Sequence, residues 1–72
     1  MPKPPLISHK RVVRAFQKAG FRVVRQGPHI SMWNEEKEIM IIVPRSDPVN
    51  PWTLKGIIED AGMTVDEFRK LA

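Results

Sequence analysis

Apolar residues recur along the first part of the chain with the spacing of an amphipathic helix. Between Ser8 and Gly20 they lie three or four residues apart, at Val12, Phe16 and Ala19. Serine is a common N-cap, and glycine readily adopts the left-handed conformation that ends a helix. The pattern therefore predicts a helix over about residues 9–19, preceded by a proline-rich extended tail over residues 1–7.

The spacing then changes to that of β-strands. The runs FRVVR (21–25), HISMWN (29–34) and EIMIIV (38–43) are rich in apolar and β-branched residues, and short turns separate them. Connections this short cannot form the crossover that parallel strands need. The three runs therefore predict an antiparallel meander.

Helical spacing returns in the last third of the chain. Asn50 and Pro51 are typical of a helix start, and the apolar residues that follow share one face until Gly62, namely Leu54, Ile57, Ile58 and Ala61. Thr64 and Glu67 fit a capping box. They predict a short third helix over about residues 65–71.

Together these elements predict one α+β domain over residues 1–72, in the order α-β-β-β-α with a short C-terminal third helix. We expect the helices on one face of a three-stranded antiparallel sheet, with the other face partly open. Trp52, in the first turn of the second helix, is predicted to pack that helix against the sheet. The third strand is apolar on both faces, which leaves a surface for a protein partner, a second copy of the chain, or Trp33 and its neighbours to cover.

Composition excludes several kinds of chemistry. The chain has no cysteine, which rules out disulfides, thiolate nucleophiles and sulfur-based zinc sites and favours a cytoplasmic, reducing setting. Its apolar runs are too short for a signal peptide or a membrane span, so we expect no membrane association. The sequence contains no glycine-rich phosphate loop, paired-histidine metal motif or acidic metal cluster. We therefore expect a protein that needs no metal and no cofactor.

Charge is distributed unevenly along the chain. Residues 1–34 carry seven lysines and arginines and no acid, whereas residues 35–72 carry five against eight acids. A basic half of this kind favours a polyanionic partner, with nucleic acid as the leading candidate, although a solvated basic helix would give the same count. Within the first helix a cationic stripe is formed by residues four positions apart, Lys10, Arg14 and Lys18.

The second strand carries the candidate chemistry. Alternation directs Ile30 and Met32 toward the core, and it directs three residues to the open face near Arg25, namely His29, Ser31 and Trp33. Histidine accepts or donates protons near neutral pH, so His29 is a candidate acid or base for RNA cleavage; the alternative is a surface histidine in a turn. The neighbouring tryptophan would either stack on an exposed base, anchor a protein partner, or pack over the third strand.

Four segments, in this order, carry a family resemblance. AGF (19–21) ends the first helix, VVRQGPH (23–29) is similar to V-R-Q-x-G-S-H, and IVP (42–44) closes the third strand. TLKGIIEDAGMTVDEF (53–68) is similar to T-L-x-x-I-L-x-x-A-G-L-x-x-x-E-F. Over residues 8–71 the chain thus resembles the HicA family of toxins, small messenger-RNA interferases of bacterial and archaeal toxin-antitoxin systems.

The resemblance implies a double-stranded-RNA-binding-domain-like fold, cleavage of mRNA and neutralisation by a HicB-like antitoxin. It also implies that His29, which matches the motif histidine, is the catalytic residue. The chain departs from the family in two places. Pro28 replaces the serine before the histidine, which removes a hydroxyl and an amide donor. Arg45 and Ser46 stand where many members have a second histidine. The other histidine of this chain, His9, lies beside an N-cap and is a weaker candidate for chemistry.

The leading hypothesis is a metal-independent endoribonuclease toxin with His29 as general acid or base and Arg25 or Arg45 stabilising the phosphorane charge. The other expected RNA contacts are Lys10, Arg14, Arg22, Ser31 and Trp33. One alternative is a copy with weakened or lost activity. Another is a non-catalytic RNA-binding or protein-interaction module with the same fold. A DNA-binding regulator is a third alternative, but the sequence contains no recognisable recognition helix. Self-association through the apolar third strand is a further expectation.

Overall fold

The computed structural model of the protein describes residues 6–72, and within them the elements follow the order α-β-β-β-α-α. They are α1 (His9–Lys18), β1 (Arg22–Gln26), β2 (His29–Asn34), β3 (Ile39–Pro44), α2 (Pro51–Asp60) and α3 (Val65–Leu71). The predicted α+β fold, which is like that of double-stranded-RNA-binding domains, is confirmed. The predicted bounds of β1 and β3 each lie one residue too early.

The sheet is antiparallel with strand order β1-β2-β3, so β2 is the central strand. In the pairing of β2 with β3, His29 lies opposite Pro44, and Trp33 lies opposite Met40. The pairing of β1 with β2 is interrupted by an irregularity between Val23 and Arg25, which leaves Val24 exposed. The predicted meander is therefore confirmed, with β1 and β3 as its two edges.

Alternation along the strands separates a covered face from an open one. The residues under the helices are buried, among them Ile30, Met32, Ile41 and Val43. Their neighbours in sequence point the other way and stay partly or fully exposed. Because the helices pack on one side only, successive side chains along a strand point alternately into the core and toward the solvent.

Three aromatic rings join the helices to the core of the domain. Phe16 of α1 contacts Phe21 with ring centroids 5.6 Å apart and Phe68 of α3 with centroids 5.0 Å apart. All three rings are buried. The short third helix thus closes the core against α1, while α2 contributes the buried face predicted from its spacing, namely Leu54, Ile57 and Ile58.

Each helix begins at the N-cap that the sequence predicts. The Ser8 hydroxyl accepts the Arg11 amide at 3.4 Å, and the Asn50 side chain accepts the amides of Trp52 and Thr53. Thr64 and Glu67 form the predicted reciprocal capping box. Since these side chains satisfy amides that have no partner inside the helix, they fix where each helix starts.

The prediction for Trp52 was wrong. Its side chain is 69% exposed and lies near the Lys55 ammonium, which is 5.7 Å from the ring centroid. The reason is the helical period of 3.6 residues, which places Trp52 almost opposite the buried Leu54 around the α2 axis. Packing of α2 against the sheet therefore relies on its aliphatic residues, and the tryptophan remains in solvent.

Most of the predicted N-terminal tail, residues 1–5, lies outside the described residues. Ile7, at the end of that segment, is 8% exposed and belongs to the core. Its carbonyl accepts the Val49 amide at 2.9 Å. The chain just before α1 is therefore fixed against the loop that precedes α2.

Candidate functional site

Five of the eight predicted site residues lie on the face of the sheet that the helices leave uncovered. We call this the open face; it carries Arg22, Arg25, His29, Ser31, Trp33, Met40 and Ile42. Strand pairing sets Arg25 opposite Ser31 and Arg22 opposite Trp33. The register therefore places both arginines of β1 beside the polar residues of β2.

His29 is the first residue of β2 and is exposed. Its imidazole forms no hydrogen bond or ion pair with residues 6–72. Its backbone is fixed, because its carbonyl accepts the Gly27 amide at 3.1 Å and β3 pairs with it at Pro44. The residue thus combines a positioned backbone with an imidazole whose two nitrogens are available to a substrate.

Two guanidinium groups lie around the turn that precedes His29. Arg45 Nε donates to the Gly27 carbonyl at 2.9 Å, so the side chain of Arg45 reaches from the end of β3 to this turn. A β-carbon added at Gly27 would lie 3.9 Å from Arg25 Nε. The end of the sheet that holds His29 therefore concentrates positive charge, which favours a phosphate there.

Glu35 lowers the net positive charge at the other end of the open face, and it was not among the residues predicted from the sequence. Trp33 Nε1 donates to Glu35 Oε2 at 2.7 Å, and Arg22 Nη2 lies 3.7 Å from the same oxygen. Part of the Arg22 charge is therefore balanced within the protein. The sequence did contain a signal for this contact. Side chains two positions apart along an extended chain point to the same side, and Trp33 and Glu35 are two positions apart.

The apolar surface predicted on the third strand is present. Met40 is 52% exposed and Ile42 is 54% exposed, both on the open face. Trp33 is half-buried and lies opposite Met40, so its side chain is placed beside β3 and remains partly accessible. The two interpretations of Trp33, packing and contact with a ligand, are therefore compatible.

Lys10 and Arg14 do not lie on the open face. They line a cleft of about 360 Å³ between α1 and the covered side of β1 and β2. We call it the α1–β1 cleft; its lining residues are His9, Lys10, Val13, Arg14, Gln17, Val23, Gln26, Ile30 and Arg45. The predicted RNA contacts thus form two groups, and Arg45 belongs to the cleft while its side chain also contacts the turn before His29.

His9, which lines this cleft, is paired with Asp47 from the loop after β3. Asp47 Oδ1 lies 2.7 Å from His9 Nδ1 and accepts the His9 backbone amide at 3.0 Å. The backbone hydrogen bond from His9, followed by the one from its side chain, lowers the pKa of Asp47 below its usual value. The carboxylate therefore stays ionised and fixes the imidazole, whose side chain is only 12% exposed.

Sequence reasoning gave His9 little weight, and nothing in the local pattern indicates its partner. The two residues are 38 positions apart, and Asp47 lies in a loop between two prolines. Only the tertiary fold brings the loop after β3 to the start of α1.

Within residues 6–72 no group of three histidine, aspartate or glutamate side chains lies close enough together to hold a metal ion. None of the helices in this part of the chain has the length and apolar character needed to cross a membrane.

Comparison of the sequence with known protein families identifies one family that it matches. The model of the family described as HicA toxin of bacterial toxin-antitoxin matches residues 9–63, which is more than half of the 72-residue chain. No curated protein matches the sequence. The matched region includes the three strands, the whole open face and the lining of the α1–β1 cleft.

Proposed function

Because the chain belongs to the HicA toxin family of bacterial toxin-antitoxin systems, we propose that it cleaves messenger RNA and that His29 is its catalytic residue. The observation that supports this proposal is the setting of His29. Its imidazole is exposed and unbonded at the end of the open face where Arg25 and Arg45 lie close to the preceding turn. This combination provides a proton acceptor near two cations, of which Arg45 is held at the turn by the Gly27 carbonyl.

The chemistry follows from those groups. His29 takes the proton of a ribose 2′-hydroxyl, and the 2′-oxygen attacks the adjacent phosphorus. The guanidinium groups of Arg25 and Arg45 stabilise the added negative charge of the phosphorane. The bond from phosphorus to the 5′-oxygen then breaks, and that oxygen takes a proton from the imidazolium or from water. The products are a 2′,3′-cyclic phosphate and a 5′-hydroxyl, and the scheme uses no metal ion.

The rest of the open face would hold the RNA strand on either side of the cleaved bond. Ser31 lies between His29 and Trp33 on the same side of β2, where its hydroxyl would bond to a phosphate or sugar oxygen. The accessible part of the Trp33 ring would stack on a base. Arg22 would add a weaker phosphate contact, because Glu35 already lies 3.7 Å from it.

A toxin of this family has an antitoxin partner, and we propose a HicB-like protein encoded by an adjacent gene. The exposed apolar residues Met40 and Ile42 lie on the open face with His29. A protein that packs on them would bury apolar area and cover the catalytic residue together. Co-purification of the two gene products would test this partner.

The test of the catalytic proposal is the substitution His29→Ala, measured with purified protein, single-stranded mRNA and a metal chelator. We expect wild-type cleavage to continue in chelator and the variant to lose at least about a hundredfold in rate, the scale of general acid–base catalysis. Expression of the variant should also relieve growth arrest. The control is Lys70→Ala in α3, an exposed cation outside both the open face and the α1–β1 cleft.

Full toxicity of His29→Ala would contradict the proposal. If the wild-type protein binds RNA in a salt-sensitive way but never cleaves it, the result favours a non-catalytic RNA-binding module with this fold.

A further inference from the structure

We propose that the α1–β1 cleft binds one nucleotide of the RNA strand, with its phosphate held by Lys10, Arg14 and His9, whose imidazole Asp47 keeps in place. This inference rests on the proposed RNA substrate and adds a second binding site on the covered side of the sheet. Its evidence is the charge, shape and position of the cleft.

The residues that line the cleft give it a net positive charge. Of its lining residues, three carry a permanent positive charge and none is acidic. Within residues 6–72, Lys10, Arg14 and Arg45 form no ion pair, although the charge of Lys10 contributes to the lowered pKa of Asp47. Cations that line a concave surface and form no ion pair favour a phosphate group.

The pair formed by His9 and Asp47 adds a directed donor. Asp47 Oδ1 lies 2.7 Å from Nδ1 of the His9 imidazole, and it also accepts a hydrogen bond from the His9 backbone amide. No residue among 6–72 occupies Nε2. When both ring nitrogens carry hydrogen, His9 donates Nδ1–H to the carboxylate and has Nε2–H left for a phosphate oxygen.

The floor of the cleft fits the rest of a nucleotide. Val13, Val23 and Ile30 provide apolar surface, while Gln17 and Gln26 provide amide groups. Aliphatic side chains can pack against the face of a base, and amides can bond to its polar edge. A volume of about 360 Å³ is at the lower end of the range for small-molecule sites, which suits one nucleotide.

The position of the cleft connects it to the proposed catalytic residue. Ile30 lines the cleft, and its neighbour His29 points to the open face. Arg45 lines the cleft and also bonds to Gly27, in the turn between β1 and β2. A single strand that passes around this turn would therefore have one nucleotide in the cleft and a nearby phosphate at His29.

The experiment measures binding separately from cleavage. The probe is a fluorescent 2′-O-methyl RNA of about six nucleotides, within the site size of single-strand binders, which lacks the attacking hydroxyl and stays intact. We expect Lys10→Ala and Arg14→Ala each to weaken binding by about three- to tenfold and to reduce the salt slope by about 0.7. Lys70→Ala is the matched control and should bind as the wild type does.

The role of His9 has its own readout, because the chain has two histidines. In a His29→Ala background, adding His9→Ala should weaken binding of the uncleavable RNA by about three- to tenfold, as Lys10→Ala does. An unchanged affinity would remove His9 from the phosphate site.

Wild-type affinity in both Lys10→Ala and Arg14→Ala would overturn the inference, whether or not the protein cleaves RNA. Loss of antitoxin binding by these variants with unchanged RNA binding would assign the cleft to a protein partner and would overturn it too. Binding that depends on the cleft in a protein that never cleaves would support the cleft and contradict the proposed function. Both residues are exposed on α1, so the variants should fold.

Discussion

The covered and open faces of the sheet differ in what they require of the sequence. Along β2, residues alternate between the core, as at Met32, and the open face, as at Ser31. The helices pack only against the covered face, so its residues hold the fold together. The open face contributes less to stability and is therefore free to carry a histidine, arginines and uncovered apolar side chains.

Two methionines allow this difference to be tested with the same substitution. Met32 is 0% exposed on the covered face, and Met40 is 52% exposed on the open face. Met32→Ala should lower the free energy of unfolding by about 2–5 kcal/mol, because it removes buried methylenes and leaves a cavity. Met40→Ala should change it by less than about 0.5 kcal/mol. Chemical denaturation followed by circular dichroism measures both.

If Met40→Ala destabilised the protein as much as Met32→Ala, the open face would be part of the stabilising core in solution. A second copy of the chain packed there would be the first explanation to test, by comparing the unfolding midpoint at several protein concentrations.

Two tryptophans test whether the open face binds RNA. Trp33 lies on this face, partly covered by β3, whereas Trp52 is exposed on α2 away from both proposed binding surfaces. Trp33→Ala should weaken binding of the uncleavable RNA by about five- to 150-fold, because stacking is worth about 1–3 kcal/mol per base. Trp52→Ala should leave the affinity unchanged. Equal affinities for both variants and the wild type would remove Trp33 from the RNA site.

The sequence predicted those parts of the fold that depend on local chemistry. Helix starts follow from Ser8, Asn50 and Thr64, and the two faces follow from alternation in β2, because caps and periods act over a few residues. The exposure of Trp52 was also readable from its helical position opposite Leu54.

The composition of the site was harder to predict. His29 could be proposed as a candidate because its strand position and its match to the family motif are both visible in the sequence. The pairing of His9 with Asp47, and the placement of Lys10 in a cleft with Arg45, join residues from distant parts of the chain. Such contacts depend on how α1 crosses the sheet, which no local period specifies.

The smallest expected effect concerns Pro28, which lies in the turn between β1 and β2, directly before His29. Pro28→Ser would add a hydroxyl and an amide donor close to the proposed phosphorane. A net hydrogen bond of about 0.5–1.5 kcal/mol would raise the cleavage rate by about two- to tenfold. Pro28→Ala restores the amide alone, so single-turnover rates of the two variants separate the two donors. Unchanged rates in both variants would show that neither donor reaches the reacting phosphate. Catalysis would then depend on the arginines and His29 and not on donors in this turn.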